Sequence, residues 1–269
     1  MTAASDVLAV AQREFQTVLR TPALLLLAAG YLLLVAAIAW LSVAGTYVAL
    51  VLDLLTPVEV LVPVLAFAFG YRAVLGDRES GELDTLRTYP LSRAGYVAGL
   101  FLGRAVAVLA VVLPGLLAAA ILVPLSTGRD LSFTASHAAT DSPALYLRFV
   151  ALAAVFTLVV LAIAILISAT ARSSRAGLAL ATGAIVALVV GFDSALVTAL
   201  TGGFISGDWL TALLALSPNS AFRSLVFEVS IAPTGAALPE GPAALVGALG
   251  LAGWALLALG GATVVVWRD

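Results

Sequence analysis

Apolar residues along this chain fall into six long blocks, separated by short stretches that hold nearly all of the charge. A helix needs roughly 20 apolar residues to cross a bilayer. The blocks at about 23–44, 54–71, 97–124, 145–171, 177–200 and 243–267 therefore predict six membrane-spanning α-helices. The first follows Thr21-Pro22, an N-cap residue and a proline at the first helical position. At about 1.5 Å per residue its run reaches roughly 33 Å, enough to span. Ser42-Val43-Ala44 resembles a signal-peptidase site, but the run before it is too long for the apolar core of a signal peptide. Within residues 1–22, Leu8, Ala11, Phe15, Val18 and Leu19 recur at spacings of three and four, with Gln12, Arg13, Gln16 and Arg20 around the rest of the wheel. That pattern predicts an amphipathic helix lying at the cytoplasmic interface. The fold class is all-α, a single transmembrane domain over 1–269.

The polar stretches set the orientation. Six spans return the C-terminus to the starting side. With the N-terminus inside, ten of the thirteen arginines are cytoplasmic, and only Arg129, Arg148 and Arg223 fall outside. Residues 72–93 form a charged cytoplasmic segment between the second and third spans. On the outer side, 126–143 is short and polar. The 201–242 stretch is long and still rich in Leu, Trp and Phe. Its 208–227 portion is too short for two spans and too apolar for a solvated loop, which predicts re-entrant or interfacial helices.

Composition narrows the chemistry mainly through what it lacks. Residues are 62% hydrophobic and 10% charged, so lipid must cover much of the surface. The thirteen basic residues are all Arg; without a lysine there is no P-loop, and this chain is not expected to be an ATPase. The same lack rules out a Ser–Lys intramembrane protease, and no His-Glu-x-x-His is present. With no Cys, and His137 alone in an outer polar loop, no metal site and no bound cofactor are expected. A net charge of −2 with scattered basic groups sets nucleic acid aside. Two carboxylates fall inside predicted spans: Glu59, about five residues from the outer end of the second, and Asp193, about seven from the outer end of the fifth. An acid within a membrane is costly to keep, which makes both candidates for a substrate pathway. Small residues repeat at every fourth position, as Gly95, Gly99 and Gly103 on the third span and Gly183 and Gly191 on the fifth. Such ridges allow close helix packing, within one subunit or across a dimer.

Residues 72–93 read Arg-Ala-Val-Leu-Gly-Asp-Arg-Glu-Ser-Gly-Glu-Leu-Asp-Thr-Leu-Arg-Thr-Tyr-Pro-Leu-Ser-Arg. Ser80 is placed to cap a short helix with Glu82 and Asp84 in its first turn, stopped at Pro90, with Leu83 and Leu86 on one face. Arg78-Glu79, Gly81, Leu83, Leu86 and Pro90-Leu91-Ser92-Arg93 resemble the segment after the second span in ABC-2-type transporter permeases. The resemblance is closest to the six-span group that includes the permease of nitrous-oxide-reductase maturation, and it covers essentially the whole chain. Leu100 stands where the family commonly has a lysine after Gly99, with Arg104 four residues on.

The resemblance implies a permease of a prokaryotic cytoplasmic membrane, working as a dimer with a second copy or a paralogue, and usually an exporter. It implies a coupling helix, carried here by Arg78, Glu79, Gly81, Leu83, Leu86, Pro90 and Arg93. Separate ABC ATPase subunits would bind ATP and Mg. The competing reading is a secondary transporter driven by ions through Glu59 and Asp193. No inverted repeat between the halves supports it, and it leaves the charged cytoplasmic helix idle.

Overall fold

The computed structural model describes residues 3–42, 46–89, 91–126, 141–204, 214, 216–235 and 244–267. His137, Arg129, Pro90 and the start of the 208–227 stretch lie outside them. Among the described residues, six helical stretches are long and apolar enough to cross a membrane.

Helix α1 (Ala3–Leu19) runs into α2 (Pro22–Leu41), the first span, through a turn at Thr21. The second span, α3, covers Tyr47–Gly70 and begins earlier than the hydropathy pattern predicts. Thr46 accepts a hydrogen bond from the Ala49 amide. Asp141, 94 residues further along the chain and just before the fourth span, accepts from the amides of Tyr47 and Val48 at 2.9 and 3.0 Å. These acceptors satisfy orphan N–H groups of the first turn, so the helix starts there and takes in Asp53, whose carboxylate accepts from the Ser42 hydroxyl.

Two short helices follow, α4 (Ala73–Glu79) and α5 (Glu82–Leu86). The third span, α6, extends over Arg93–Ser126. Its 34 residues make about 51 Å of helix, well beyond a hydrocarbon core of about 30 Å. The excess lies at its beginning, where α1 packs along it. The fourth span, α7 (Pro143–Thr170), is the most enclosed of the six, lying among α3, α6 and the last span. The fifth span comprises α8 (Ser174–Val186), a wide π-turn at Ala187–Gly191, and α9 (Phe192–Thr201). It is the least enclosed, and α9 buries none of its residues. A nine-residue helix, α10 (Pro218–Val226), is followed by a π-turn at Phe227–Ile231 and then by the last span, α11 (Ala244–Val265).

The core is a Leu/Val/Ala/Phe cluster centred on α3, α6 and α7. Helix α10 belongs to it: Phe222 stacks on Phe156 of α7 with ring centroids 4.6 Å apart. Trp254 of α11 donates to the Leu216 carbonyl just before α10.

The stripe that α1 presents to α6 differs from the sequence expectation. Val10, Glu14 and Val18 are buried, whereas Leu8 and Leu19 are exposed. The packed face is therefore rotated to include a carboxylate, because a guanidinium on the neighbouring helix neutralises it. The ridge Gly95, Gly99 and Gly103 is what admits α1. A Cβ on Gly99 would lie 2.6 Å from that of Val10, and one on Gly103 would strike the Ala11 carbonyl and come within 2.7 Å of the Glu14 Cβ. A Cβ on Gly95 would meet the Ser92 hydroxyl at 3.0 Å. The first ridge thus packs within the chain. Gly183 meets nothing within 4 Å, and Gly191 meets only atoms of its own helical turn.

Candidate functional sites

The α4–α5 segment is bound to the rest of the chain at four places. Ser168, in the last turn of α7, accepts from the amides of Val74 and Leu75, both at 3.0 Å. A residue of the fourth span thereby satisfies two orphan donors at the start of α4. At the other end of α4, Arg78 donates to the carbonyls of Ala171 (2.6 Å), Ala169 (3.1 Å) and Val266 (3.4 Å). A cation there meets the exposed carbonyls at the ends of both α7 and α11, the favourable place for positive charge.

Asp77 makes the third link. Its Oδ2 accepts from Arg13 of α1 and from the Tyr96 hydroxyl of α6, each at 2.6 Å. Arg13 also pairs with Glu14 at 2.8 Å and with Glu82 at 3.3 Å, and Glu14 accepts from Arg104 Nε at 2.8 Å and NH2 at 2.7 Å. Arg104 further donates to the Phe69 carbonyl at the end of α3. Burial works against the Arg13 charge, but the hydrogen bond and charge of Asp77, with Glu14 adding, outweigh it and raise its pKa above the ordinary guanidinium value. The fourth link runs to the following span, where Glu79 accepts from Ser174 at 2.7 and 2.8 Å and pairs with Arg72 at 3.0 Å.

Several sequence expectations for this segment are corrected. Ser80 does not cap α5; its hydroxyl donates back to Asp77 and it closes α4. Gly81 occupies the position before α5 with φ +74°, a left-handed turn that a Cβ disfavours. Helix α5 ends at Leu86, before Pro90 is reached. Leu83 and Leu86 do share a face, but it points into the chain: Leu83 is 2% exposed and Leu86 packs against the core. The outward face consists of Glu82, Asp84, Thr85, Thr88 and Tyr89. Arg93 stacks over Trp267, 5.5 Å from its centroid, joining the start of α6 to the end of the last span. A cleft of about 450 Å³ opens beside this face, lined by Arg78, Asp84, Arg87 and Arg172 under the ends of α7 and α11.

Glu59 and Asp193, separate in the sequence, meet on a third residue. Arg223 of α10 grips Glu59 with two bonds, Nε to Oε1 at 2.7 Å and NH2 to Oε2 at 2.6 Å, and reaches Asp193 at 3.3 Å. The Ser220 hydroxyl donates to the other Asp193 oxygen at 2.5 Å. Because α3 starts at Tyr47, Glu59 lies about 18 Å along it, near its middle and deeper than the sequence places it. Pro63 has no N–H to give the Glu59 carbonyl four residues back, and the Asn219 side-chain amide supplies the missing donor at 3.4 Å. Arg223 was readable only as an outer-loop cation, since nothing in local spacing couples positions so far apart. A proline four residues after an intraspan acid is the one sequence hint that a partner must arrive there. Among the described residues no His/Cys/Asp/Glu group could hold a metal ion.

Six membrane-length helices without a strand among the described residues, with a short helical segment bonded to several of them, define a polytopic α-helical membrane protein. Its family is shown by comparison: the model of the ABC-2 family transporter proteins matches residues 8–267, from α1 through α11, and the chain belongs to that family. "Probable ABC transporter permease protein NosY" of Pseudomonas aeruginosa is 31% identical over 268 residues, covering 93% of this chain and 94% of that protein. The protein of the same description from Stutzerimonas stutzeri is 30% identical over 224 residues, 80% of this chain and 78% of its own length. Membership in this family displaces the reading as an ion-coupled secondary transporter.

Proposed function

We propose that this permease works in a cytoplasmic membrane with both termini inside, as a dimer with a second copy or a paralogue. In this reading the α4–α5 segment receives the stroke of separate ABC ATPase subunits, which bind the ATP and Mg, and the cargo is exported. The observation that carries it is the bonding of α4: Ser168 and Arg78 tie it to the fourth and last spans, and Asp77 ties it to α1 and the third. A short helix held this way cannot shift alone; a push on it moves the spans. The outward residues Glu82, Asp84, Thr85 and Tyr89 are then the docking surface, and Leu83 and Leu86 act from within by fixing α5. The arginine bias toward one side supports the orientation.

Purification of the tagged chain from its host in mild detergent tests this. A Walker-A protein with ATPase activity is expected to accompany it. The D84R/Y89A variant, altered only on the exposed face, should insert and purify normally but lose that protein. Undiminished recovery of the ATPase with the variant, or no ATPase with the parent, would sink the reading.

A further inference from the structure

We infer that α9 is a moving leaf at the outer end of the permease, hinged at the π-turn Ala187–Gly191 and latched to α10 by Asp193. The inference rests on the transporter reading for its purpose, though not for its geometry.

The two sides of the Arg223 cluster are unequal. On the side facing α3 and α7 everything is bound tightly: two short charge-assisted bonds to a Glu59 that is 2% exposed, the Asn219 bond to the Glu59 carbonyl, and Phe222 stacked on Phe156 of α7. Withdrawing Arg223 from Glu59 would strand a buried carboxylate near the middle of a span, which is prohibitive. On the α9 side the Arg223 contact is longer, 3.3 Å, and both side chains are partly exposed, 40% and 29%. If that contact and the Ser220 bond break, Arg223 keeps its partner and Asp193 gains solvent. Rupture therefore falls between α9 and α10, not between α10 and α3.

What lies behind the latch permits movement. No residue of α9 is buried, so the helix is not anchored by a core of its own. The turn before it has left the regular α-helical hydrogen-bond register, and such π-turns within helices are frequent at functional sites. Just past that turn, Phe192 meets Trp254 edge-on at 6.3 Å, a contact that a small rotation preserves. Beyond that ring, Asp193 supplies the side-chain hydrogen bond and the ion pair from α9 to α10.

Two measurements test it. In hydrogen–deuterium exchange of the chain in nanodiscs, Asp193→Ala should speed exchange of 192–201 by about tenfold while 218–226, still held through Glu59, stays unchanged. Equal rates in variant and parent, or acceleration of both segments together, would overturn the hinge. The chain has no cysteine of its own, so the D193C/S220C variant offers one thiol pair. Oxidised in the assembly with its ATPase, it should bind ATP as before yet turn over about tenfold more slowly, with recovery on reduction. A fully crosslinked form that turns over like the reduced one would refute the gate. If the parent assembly shows no nucleotide-driven turnover, the ATPase reading fails, and the exchange experiment still decides the hinge.

Discussion

At the scale of single residues, the molecule depends on charges placed where charges are expensive. Glu59 is tolerable near the middle of α3 because Arg223 neutralises it, so removing one member should cost far more than removing both. Arg223→Ala is expected to destabilise the detergent-solubilised protein by about 3–5 kcal/mol, whereas an E59L/R223L pair should recover most of that loss; thermal unfolding of the two variants and the parent measures it. Asn219 makes a finer test. Asn219→Ala leaves the Glu59 carbonyl without a donor and should cost about 1–3 kcal/mol. Pro63→Ala restores a backbone N–H four residues on, so the same substitution in that background should cost clearly less; a double-mutant cycle with no coupling would show that Asn219 serves another purpose. The acids themselves were legible from the sequence as intraspan carboxylates. Their partner was not, because Arg223 lies 164 residues from Glu59 and was counted among the outer cations.

Elements show the same division between local pattern and distant partner. The small-residue ridge at Gly95, Gly99 and Gly103 was readable as a packing surface, and α1 is what fills it. Gly103→Val should therefore lift α1 off α6, measured as proteolytic release of the first 20 or so residues while the remaining spans stay folded. Gly183→Val, at a position that faces open space, should leave that cleavage pattern unchanged. Helix α5 was anticipated from Glu82, Asp84 and the leucines that follow, but its facing was not, since a two-leucine face does not say whether a partner or the same chain covers it. The left-handed turn at Gly81 sets that facing. Gly81→Ala should cost about 1–2 kcal/mol and misdirect the exposed face, reducing ATPase recovery without preventing insertion.

At the scale of the whole molecule, the enclosed core of α3, α6 and α7 contrasts with a fifth span that touches it lightly. Rigid bonding is concentrated at the end that holds α4, where α1, α4, α6, α7 and α11 share one network, and the more weakly joined element stands at the other. A stroke at α4 would then reach a stiff body, with α9 free to respond. Ser168→Ala would remove the acceptor for two amides of α4. ATP turnover by the assembly should persist while its dependence on the membrane subunit is lost, measured by comparing ATPase rates with and without the permease. Full retention of that dependence would mean that α4 does not transmit through the fourth span.

The sequence by itself determined the six spans, the helical N-terminus, the charged segment after the second span and the family it resembles. Each is a local property: a run of apolar residues long enough for the bilayer, a helical period, or a motif within a score of positions. The tertiary structure alone decided which charges neutralise one another, which face of α1 and of α5 turns inward, and where α3 begins. Those depend on pairs such as Asp141 with Tyr47, Arg104 with Glu14 and Arg223 with Glu59. Hydropathy and spacing carry no term for residues that far apart, and the cost of burying a charge is settled only when its partner arrives.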